Sequence, residues 1–200
     1  MIKSIVFDIG GVILDAKELI KDLKVWFKPK DEMKFWEELN LKIAPLCKGN
    51  GSLYETMKEF AKEKKVKIPD SELKTLFVKD FDKTLKFNKE VLKLIKKLKP
   101  NYKLGIISNI IEEHSAELKK TNMFKDFEIV IMSYEVKMSK HEIDIFKLLI
   151  KEMNLKPNEI VFIDDVQQYA NNASSLGIHG ICFKNIEQLK TELKKLNVKF

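Results

Sequence analysis

The stretch Ile5-Val6-Phe7-Asp8-Ile9-Gly10-Gly11-Val12 decides the predicted fold. Three apolar residues lead to an aspartate, and two glycines follow at once. A buried strand that ends on a carboxylate and then turns tightly places that carboxylate at the edge of an α/β sheet where ligands bind. Far along the chain, Ile160-Val161-Phe162-Ile163-Asp164-Asp165 repeats the pattern with two carboxylates. Three acidic groups on two strand ends indicate a magnesium site built around a nucleophilic aspartate.

The order of the predicted elements indicates an α/β fold. After residue 88, strand-like and helix-like segments alternate along the chain. The patterns predict strands at residues 2–8, 103–108, 127–131, 159–163 and 178–183, and helices at residues 88–98, 111–121, 141–153, 166–176 and 185–197. Repeated strand–helix units imply a Rossmann-like parallel sheet with helices on both faces.

Residues 16–86 predict an all-helical insertion within that sheet. Their apolar residues recur at helical spacing, and no convincing strand interrupts them. Ser52 is a candidate N-cap, and the aromatic residues of the segment are more typical of its own core than of a pocket. The insertion leaves the sheet soon after Asp8, so we expect a cap that excludes water and selects substrates; the alternative is a packed helical appendage. The predicted division is a core of residues 1–15 and 87–200 and a cap of residues 16–86.

Composition places the chain among globular proteins and argues against nucleic-acid binding. Hydrophobic residues make up 44% of the 200 residues, which suits one domain with a modest insertion. The net charge is +7, but all 37 basic residues are lysines, and arginine is the usual bidentate reader of guanine and phosphate. The lysines are interleaved with glutamates, as on solvated helix faces, so we expect no specific nucleic-acid partner.

The absence of targeting patterns and the cysteine spacing predict a cytoplasmic protein that does not enter a membrane. No apolar run reaches the ~18 residues that a membrane span needs. Met1-Ile2-Lys3-Ser4 leads straight into a strand without the layout of a signal peptide. Cys47 and Cys182 lie far apart, make no metal-binding spacing and are interpreted as buried thiols in a reducing compartment. The expected assembly is a monomer or a homodimer.

Four segments, taken in chain order, resemble the four motifs of the haloacid dehalogenase superfamily. They are Phe7-Asp8-Ile9-Gly10-Gly11-Val12; Ile106-Ile107-Ser108-Asn109; Glu135-Val136-Lys137-Met138-Ser139-Lys140, followed by Ile145-Phe146; and Phe162-Ile163-Asp164-Asp165, continuing to Leu176-Gly177. Each segment alone is a weak signal, but four in order, with a helical insertion in the expected gap, are specific. The chain most resembles the small-cap subgroup that includes glucose-1-phosphatase-like proteins and the N-terminal phosphatase domain of soluble epoxide hydrolase.

This resemblance implies a Mg²⁺-dependent phosphatase that acts on a small phosphorylated metabolite. Asp8 is the implied nucleophile, and its attack on phosphorus gives an aspartyl-phosphate. The implied metal ligands are the carboxylates of Asp8 and Asp164 and the backbone carbonyl of Gly10. Asp165 is a further ligand or holds a metal-bound water.

The remaining implied site residues bind the phosphoryl group. Ser108 donates a hydrogen bond to a phosphoryl oxygen, with the backbone N–H of Asn109 beside it, and Gly11 contributes to substrate binding. The Asn109 side chain is expected either to contact the substrate or only to shape the loop. Lys140 supplies positive charge to the phosphate and to the nucleophile. Lys137 is the rival lysine, and it falls on a loop position where the family often has glycine.

Besides Lys137, the sequence departs from the family pattern at three positions. Phosphatases of the family usually carry a second aspartate two residues after the nucleophile, which protonates the leaving group, and here that residue is Gly10. Loss of a general acid costs about 10²–10⁴ in rate, so the enzyme is slow, restricted to good leaving groups, served by another acid such as Asp15, or silent. Tyr169 stands where many relatives have asparagine and is interpreted as a change in loop packing. His141 stands where the family usually has proline and is given no role.

Two alternatives compete with the phosphatase interpretation. The first is a catalytically weak or silent protein that binds a phospho-ligand or a partner, and Gly10 is the residue that supports it. The second, ranked lower, is a 2-haloacid dehalogenase, which also lacks the second aspartate and needs no metal. Such dehalogenases hold the substrate carboxylate with an arginine, and this chain has none. The pair Asp164-Asp165 also favours a metal.

Overall fold

The computed structural model describes residues 1–14, 21–73 and 85–200, with only the backbone of residues 21 and 22. Its centre is a sheet of five parallel strands in the order β3-β2-β1-β4-β5. The strands are β1 (Ser4–Phe7), β2 (Lys103–Ser108), β3 (Ile129–Met132), β4 (Ile160–Asp164) and β5 (His179–Cys182). The predicted parallel α/β fold is therefore confirmed.

Ten α-helices lie within the described ranges. Those between β1 and β2 are α1 (Lys21–Phe27), α2 (Glu32–Ile43), α3 (Leu53–Glu63), α4 (Asp70–Leu73) and α5 (Lys89–Leu98). The later ones are α6 (Glu112–Lys119), α7 (Ser133–Val136), α8 (Ile143–Met153), α9 (Gln167–Ser174) and α10 (Ile186–Lys195). In these ranges no helix is both long enough and apolar enough to cross a membrane.

Alternating side chains of the central strands fill two separate cores. In β1, Ile5 and Phe7 point into one core and Val6 points into the other, as the two-residue period of a strand requires. The first core is completed by apolar residues of α5, α6 and α10. The second is completed by residues of α8 and α9. Both faces of the sheet are thus covered, which explains why its strands read as continuous apolar runs.

Helices α1 to α4 share a third core of their own. The N-caps of α2 and α3 are Asp31 and Ser52, whose side chains accept hydrogen bonds from the backbone N–H groups of residues 34 and 55. Phe35 is buried in this core, and the other aromatic residues predicted to belong to it are partly buried and pack against it; they are Trp26, Phe27, Trp36 and Tyr54. The predicted N-cap and aromatic core of the insertion are confirmed.

The helical unit is attached to the sheet near the edge where the strands end. Ile111, in the loop after β2, is buried within the helical core. The ammonium group of Lys48, in a short 3₁₀ turn between α2 and α3, forms an ion pair with Glu142 at the start of α8. A Cβ added at Gly49 would lie 2.7 Å from the carbonyl oxygen of Tyr134. These contacts fix the turn against the loop that connects β3 to α8.

Candidate active site

The pairing of β1 with β4 brings the three predicted acidic residues together. Phe7 pairs with Ile163, so Asp8 and Asp164, the residues that follow them, lie side by side at the end of the two strands. The backbone N–H of Asp8 donates to the carbonyl of Ile163 at 2.8 Å. Carboxylate oxygens of Asp8, Asp164 and Asp165 all lie within 4.8 Å of one another. Two of these carboxylates are buried, and that of Asp165 is exposed.

A buried lysine joins this cluster from the loop before α8. The Nζ atom of Lys140 lies 2.8 Å from Oδ1 of Asp8 and 2.6 Å from Oδ2 of Asp164. Only 1% of Lys140 is exposed. Its backbone is held on both sides, because Asn109 Oδ1 accepts from its N–H at 2.9 Å and Asn172 Nδ2 donates to its carbonyl at 2.9 Å. Lys140 is therefore fixed between the carboxylates at the ends of two adjacent strands.

The electrostatics of this cluster suit a divalent cation. Burial raises the pKa of Asp8 to about 7, Lys140 opposes that increase, and the charge of Asp164 adds to it. Partial burial and the charge of Asp164 likewise raise the pKa of Asp165. Burial opposes the charge of Lys140, but Asp8 and Asp164 outweigh it and raise its pKa. Three ionised carboxylates and one ammonium carry a net charge of −2, and their oxygens are the ligands that Mg²⁺ prefers.

The two glycines after Asp8 have different surroundings. Gly11 has φ +72°, and a Cβ there would lie 2.1 Å from Oδ2 of Asp165. Only glycine therefore fits that position without displacing an acidic side chain of the cluster. Gly10 has no such restriction, because a Cβ there would meet no atom within 4 Å. The site has room for a side chain at the position where it lacks one.

Ser108 and Asn109 lie at the same edge, at the end of the neighbouring strand. In the pairing of β1 with β2, Phe7 stands opposite Ile106. Asp8 is therefore level with Ile107, and Ser108 lies one residue further along its strand. Ser108 is buried. The side chain of Asn109 shapes the loop of Lys140, one of the two roles that the sequence leaves open.

The structure separates the two rival lysines. Lys137 ends α7 in the left-handed conformation, with φ +55°, and is exposed. A positive φ agrees with the glycine often found there in the family. Lys140, three residues later, contacts the carboxylates directly. Asp15, the candidate replacement acid, lies outside the described residues.

Two residues without a predicted role also lie at this cluster. The hydroxyl of Tyr169 is 2.8 Å from Nε2 of His141, and the tyrosine ring centroid is 4.9 Å from Nζ of Lys140. The sequence patterns give His141 no role and interpret Tyr169 as a packing change. Their common signal is that both depart from the family pattern, one beside Lys140 and the other soon after the acidic pair.

A comparison with protein-family models agrees with this geometry. Residues 2–167 match the model of the haloacid dehalogenase-like hydrolases. The chain belongs to this family. The match covers the strands that carry Asp8, Ser108 and Asp164, together with Lys140.

One relative of this hydrolase is a phosphatase. A phosphorylated carbohydrates phosphatase of Thermotoga maritima is 22% identical over 187 residues, which cover 90% of this chain and 83% of that protein. The bifunctional epoxide hydrolase 2 of Sus scrofa is 33% identical over 70 residues, which cover 35% of this chain and only 13% of that much longer protein.

A solved family member is similar over almost its whole length. It is an enzyme of Bacteroides thetaiotaomicron in complex with magnesium and inorganic phosphate. It has a TM-score of 0.72 and 27% identity to this hydrolase, over 92% of this chain and 95% of that one.

Proposed function

We propose that this hydrolase is a Mg²⁺-dependent phosphatase that acts on a small phosphorylated metabolite through an aspartyl-phosphate at Asp8. The observation that carries the proposal is the placement of Lys140 between the buried carboxylates of Asp8 and Asp164, with Asp165 beside them. A nucleophile, a fixed cation and a set of oxygen ligands at one sheet edge are the groups that phosphoryl transfer needs. The phosphatase relative and the phosphate-bound family member support the same chemistry.

The first half of the reaction transfers the phosphoryl group to the protein. A carboxylate oxygen of Asp8 forms a bond to phosphorus while the bond from phosphorus to the leaving oxygen breaks. Lys140 stabilises the negative charge of the transferring group, and the hydroxyl of Ser108 donates a hydrogen bond to one of its oxygens. Both groups are held in place before the substrate binds, since both are buried.

The residues that would hold Mg²⁺ are Asp8, Asp164, Asp165 and the backbone carbonyl of Gly10. When bound, the ion supplies positive charge that lets two anions, the carboxylate and the phosphate, approach each other. The separation of the three carboxylate oxygens and their net charge with Lys140 agree with such an ion. Gly11 leaves the space that the Asp165 carboxylate needs and is proposed to border the bound phosphate.

The second half of the reaction returns the nucleophile. Water attacks phosphorus, the bond from phosphorus to Asp8 breaks, and inorganic phosphate leaves together with the proton of that water. Gly10 offers no side chain that protonates the leaving group or activates the water. We therefore propose substrates whose leaving group needs little help, such as sugar-1-phosphates or acyl phosphates. The leaving oxygens of these substrates are less basic than an ordinary alkoxide, so the missing acid costs less of the usual ~10²–10⁴ in rate.

The helical unit is proposed to act as the cap of this site. In the proposed division, residues 16–86 form the cap and residues 1–15 and 87–200 form the core. Two contacts of the insertion support this proposal. Lys48 pairs with Glu142, two residues after Lys140, and Gly49 approaches the carbonyl of Tyr134 in α7. A cap in this position excludes water from the reacting groups and selects the substrate.

Gly10 also favours a second candidate function, a protein that binds a phospho-ligand without turning it over. In that case Asp8, Lys140 and the magnesium ligands hold the ligand, and hydrolysis is too slow to matter. The two functions differ in one measurable quantity, the release of phosphate.

The deciding experiment measures phosphate release from sugar phosphates, nucleotides, an acyl phosphate and an activated aryl phosphate, with magnesium and with EDTA. Magnesium-dependent release by the wild type, lost in Asp8→Asn, supports the proposal. Asp126→Asn is the matched control, because Asp126 precedes β3 and lies at the opposite edge of the sheet, where it forms an ion pair with Lys99. Its turnover should equal that of the wild type.

Two further results distinguish the alternatives. No release from even the activated ester, with magnesium still bound in a calorimetric titration, refutes hydrolysis and favours the binding function. Release that persists in Asp8→Asn contradicts the nucleophilic role of that residue.

A further inference from the structure

Tyr169 and His141 form a polar contact directly beside the proposed catalytic lysine. They are 28 residues apart in the chain, yet the tyrosine hydroxyl lies 2.8 Å from the imidazole Nε2. The two rings meet edge to face, with centroids 4.9 Å apart. The amide of Asn109 also donates to the same hydroxyl, at the longer distance of 3.5 Å. The Tyr169 hydroxyl is thus held by His141, in the loop before α8, and by Asn109, in the loop after β2.

The ring of Tyr169 covers the ammonium group of Lys140. The Nζ atom lies 4.9 Å from the ring centroid, within the range of a cation–π interaction. A lysine ammonium has three N–H donors. The Lys140 ammonium has two carboxylate partners, Asp8 and Asp164. The aromatic ring lies on a further side of the ammonium, which agrees with the near-complete burial of this lysine.

The same contacts fix the backbone on which Lys140 stands. Asn109 accepts from the Lys140 N–H and donates to the Tyr169 hydroxyl, so it connects the two residues. Asn172, one turn after Tyr169 in α9, donates to the Lys140 carbonyl. Helix α9 therefore holds this lysine through its side chain and through its backbone.

We propose that Tyr169, anchored by His141, is a positioning residue that holds the Lys140 ammonium group in its place between Asp8 and Asp164. Its catalytic consequence rests on the proposed phosphatase function, but the position of the lysine can be measured without turnover. Tyr169 acts through Lys140 and does not itself touch the reacting atoms.

The kinetic test uses single variants and a double-mutant cycle. Tyr169→Leu removes the ring and should lower kcat about tenfold, the equivalent of a cation–π contact of ~1.4 kcal/mol, with little change in KM. Tyr169→Phe keeps the ring and loses only the anchored hydroxyl, so we expect a loss of about threefold, and the same for His141→Ala. The double variant Tyr169→Phe/His141→Ala should be no slower than either of these single variants, because both substitutions remove the same hydrogen bond. His141→Gln, which can still bond the hydroxyl, should restore most of the rate.

A control separates positioning from folding. Tyr102→Phe makes the same chemical change at a remote hydroxyl, which accepts a hydrogen bond from the backbone of Lys199, and it should leave kcat unchanged. Melting temperatures of all variants show whether they are folded. Variants that change only the melting temperature, with kcat equal to that of the wild type, would overturn the proposal, since a packing role alone has that signature.

The position of the lysine is read by NMR, whether or not the protein turns over substrate. Protons next to the Lys140 ammonium lie over the Tyr169 ring and should be shifted upfield; their signal is identified by its loss in Lys140→Met. The shift should decrease to a similar extent in Tyr169→Phe and His141→Ala, which lose the same anchoring hydrogen bond, and vanish in Tyr169→Leu. A shift that is absent from the wild type or unchanged in Tyr169→Leu overturns the proposal. If the wild type shows the shift but releases no phosphate, the phosphatase function fails and the positioning role stands.

Discussion

If the proposed phosphatase function holds, the substitution Gly10→Asp should give a faster enzyme that accepts more phosphate esters. It restores the carboxyl group that phosphatases of the family usually carry two residues after the proposed nucleophile. Gly10 is half-buried, and an added Cβ would meet no atom within 4 Å. Its φ is not among the positive values found at Gly11 and other glycines of the described chain. An aspartate can therefore adopt this backbone without strain.

The size of the gain follows from the chemistry of the leaving group. A positioned general acid contributes about 10²–10⁴ in rate when the departing oxygen needs a proton. We therefore expect turnover of an alkyl phosphate, such as a sugar-6-phosphate, to increase by about 10²-fold or more. The leaving group of an activated aryl phosphate departs as a stable anion, so kcat/KM for that ester, which covers the steps up to this departure, should change by less than about threefold. The new carboxylate also adds a negative charge to the site, so any cost in stability should be largest without magnesium.

The assay compares kcat/KM across a series of phosphate esters whose leaving groups differ in basicity. The wild type should lose rate steeply as the leaving group becomes more basic, and Gly10→Asp should flatten that dependence. Gly10→Asn is the matched control, since it has the same shape without an acidic proton. Gly11→Ala is the steric contrast, because its Cβ would displace the Asp165 carboxylate and should abolish magnesium-dependent release.

Equal rates for Gly10→Asp and Gly10→Asn on the alkyl ester would refute this reasoning. In that case another group already supplies the proton. Asp15 is the candidate that the sequence offers. Asp15→Asn should then lower the rate on the alkyl ester by the amount that the missing acid at Gly10 was expected to cost.

Two further predictions concern stability. Burial raises the pKa of Asp8 from an ordinary 3.8 to about 7, so its contribution to stability is present below pH ~4 and lost as the pH rises through ~7. Without magnesium, Asp8→Asn should therefore melt at a higher temperature than the wild type near pH 8, and the difference should disappear near pH 4; a constant difference across this range contradicts the raised pKa. Lys140→Met leaves two buried carboxylates without their cation and should reduce the free energy of unfolding by about 3–5 kcal/mol in denaturant titrations at neutral pH. Magnesium should reduce this difference in the free energy of unfolding between the wild type and Lys140→Met. A difference below about 1 kcal/mol would show that Lys140 is not paired in solution.

The sheet could be predicted from the sequence because its strands are buried on both faces. Lys103–Ser108 has the same bounds in the pattern and in the structure, and the other strands shift or shorten by only one or two residues at each end. Continuous apolar runs bounded by polar turns carry this information locally. The strand order β3-β2-β1-β4-β5 is set by tertiary packing and was not contained in those runs. The short helix Ser133–Val136 was also missed, since four residues are too few to show a helical period.

The acidic residues of the site could be predicted because strand ends in a parallel sheet converge. Asp8 follows the buried strand β1 and Asp164 ends the buried strand β4, so a local pattern was sufficient to place them at one edge. The contact between Tyr169 and His141 depends on how helix α9 packs against the loop of Lys140. No local spacing expresses that contact, and the sequence patterns gave His141 no role and interpreted Tyr169 as a packing change.

The charge of the site is a stronger argument for an enzyme than Gly10 is for a silent binder. A protein that only captures a phosphate dianion gains from positive charge, whereas this site presents three carboxylates with one ammonium. Burying such a set costs stability, as the raised pKa of Asp8 shows. A cation offsets that cost, but binding alone still gives no reason to place the Asp8 carboxylate against a second anion. Attack on phosphorus does give a reason, because the nucleophile must approach the phosphate while Lys140 and the cation reduce their repulsion. We therefore propose that the arrangement serves turnover and that the absent acid restricts which esters are turned over.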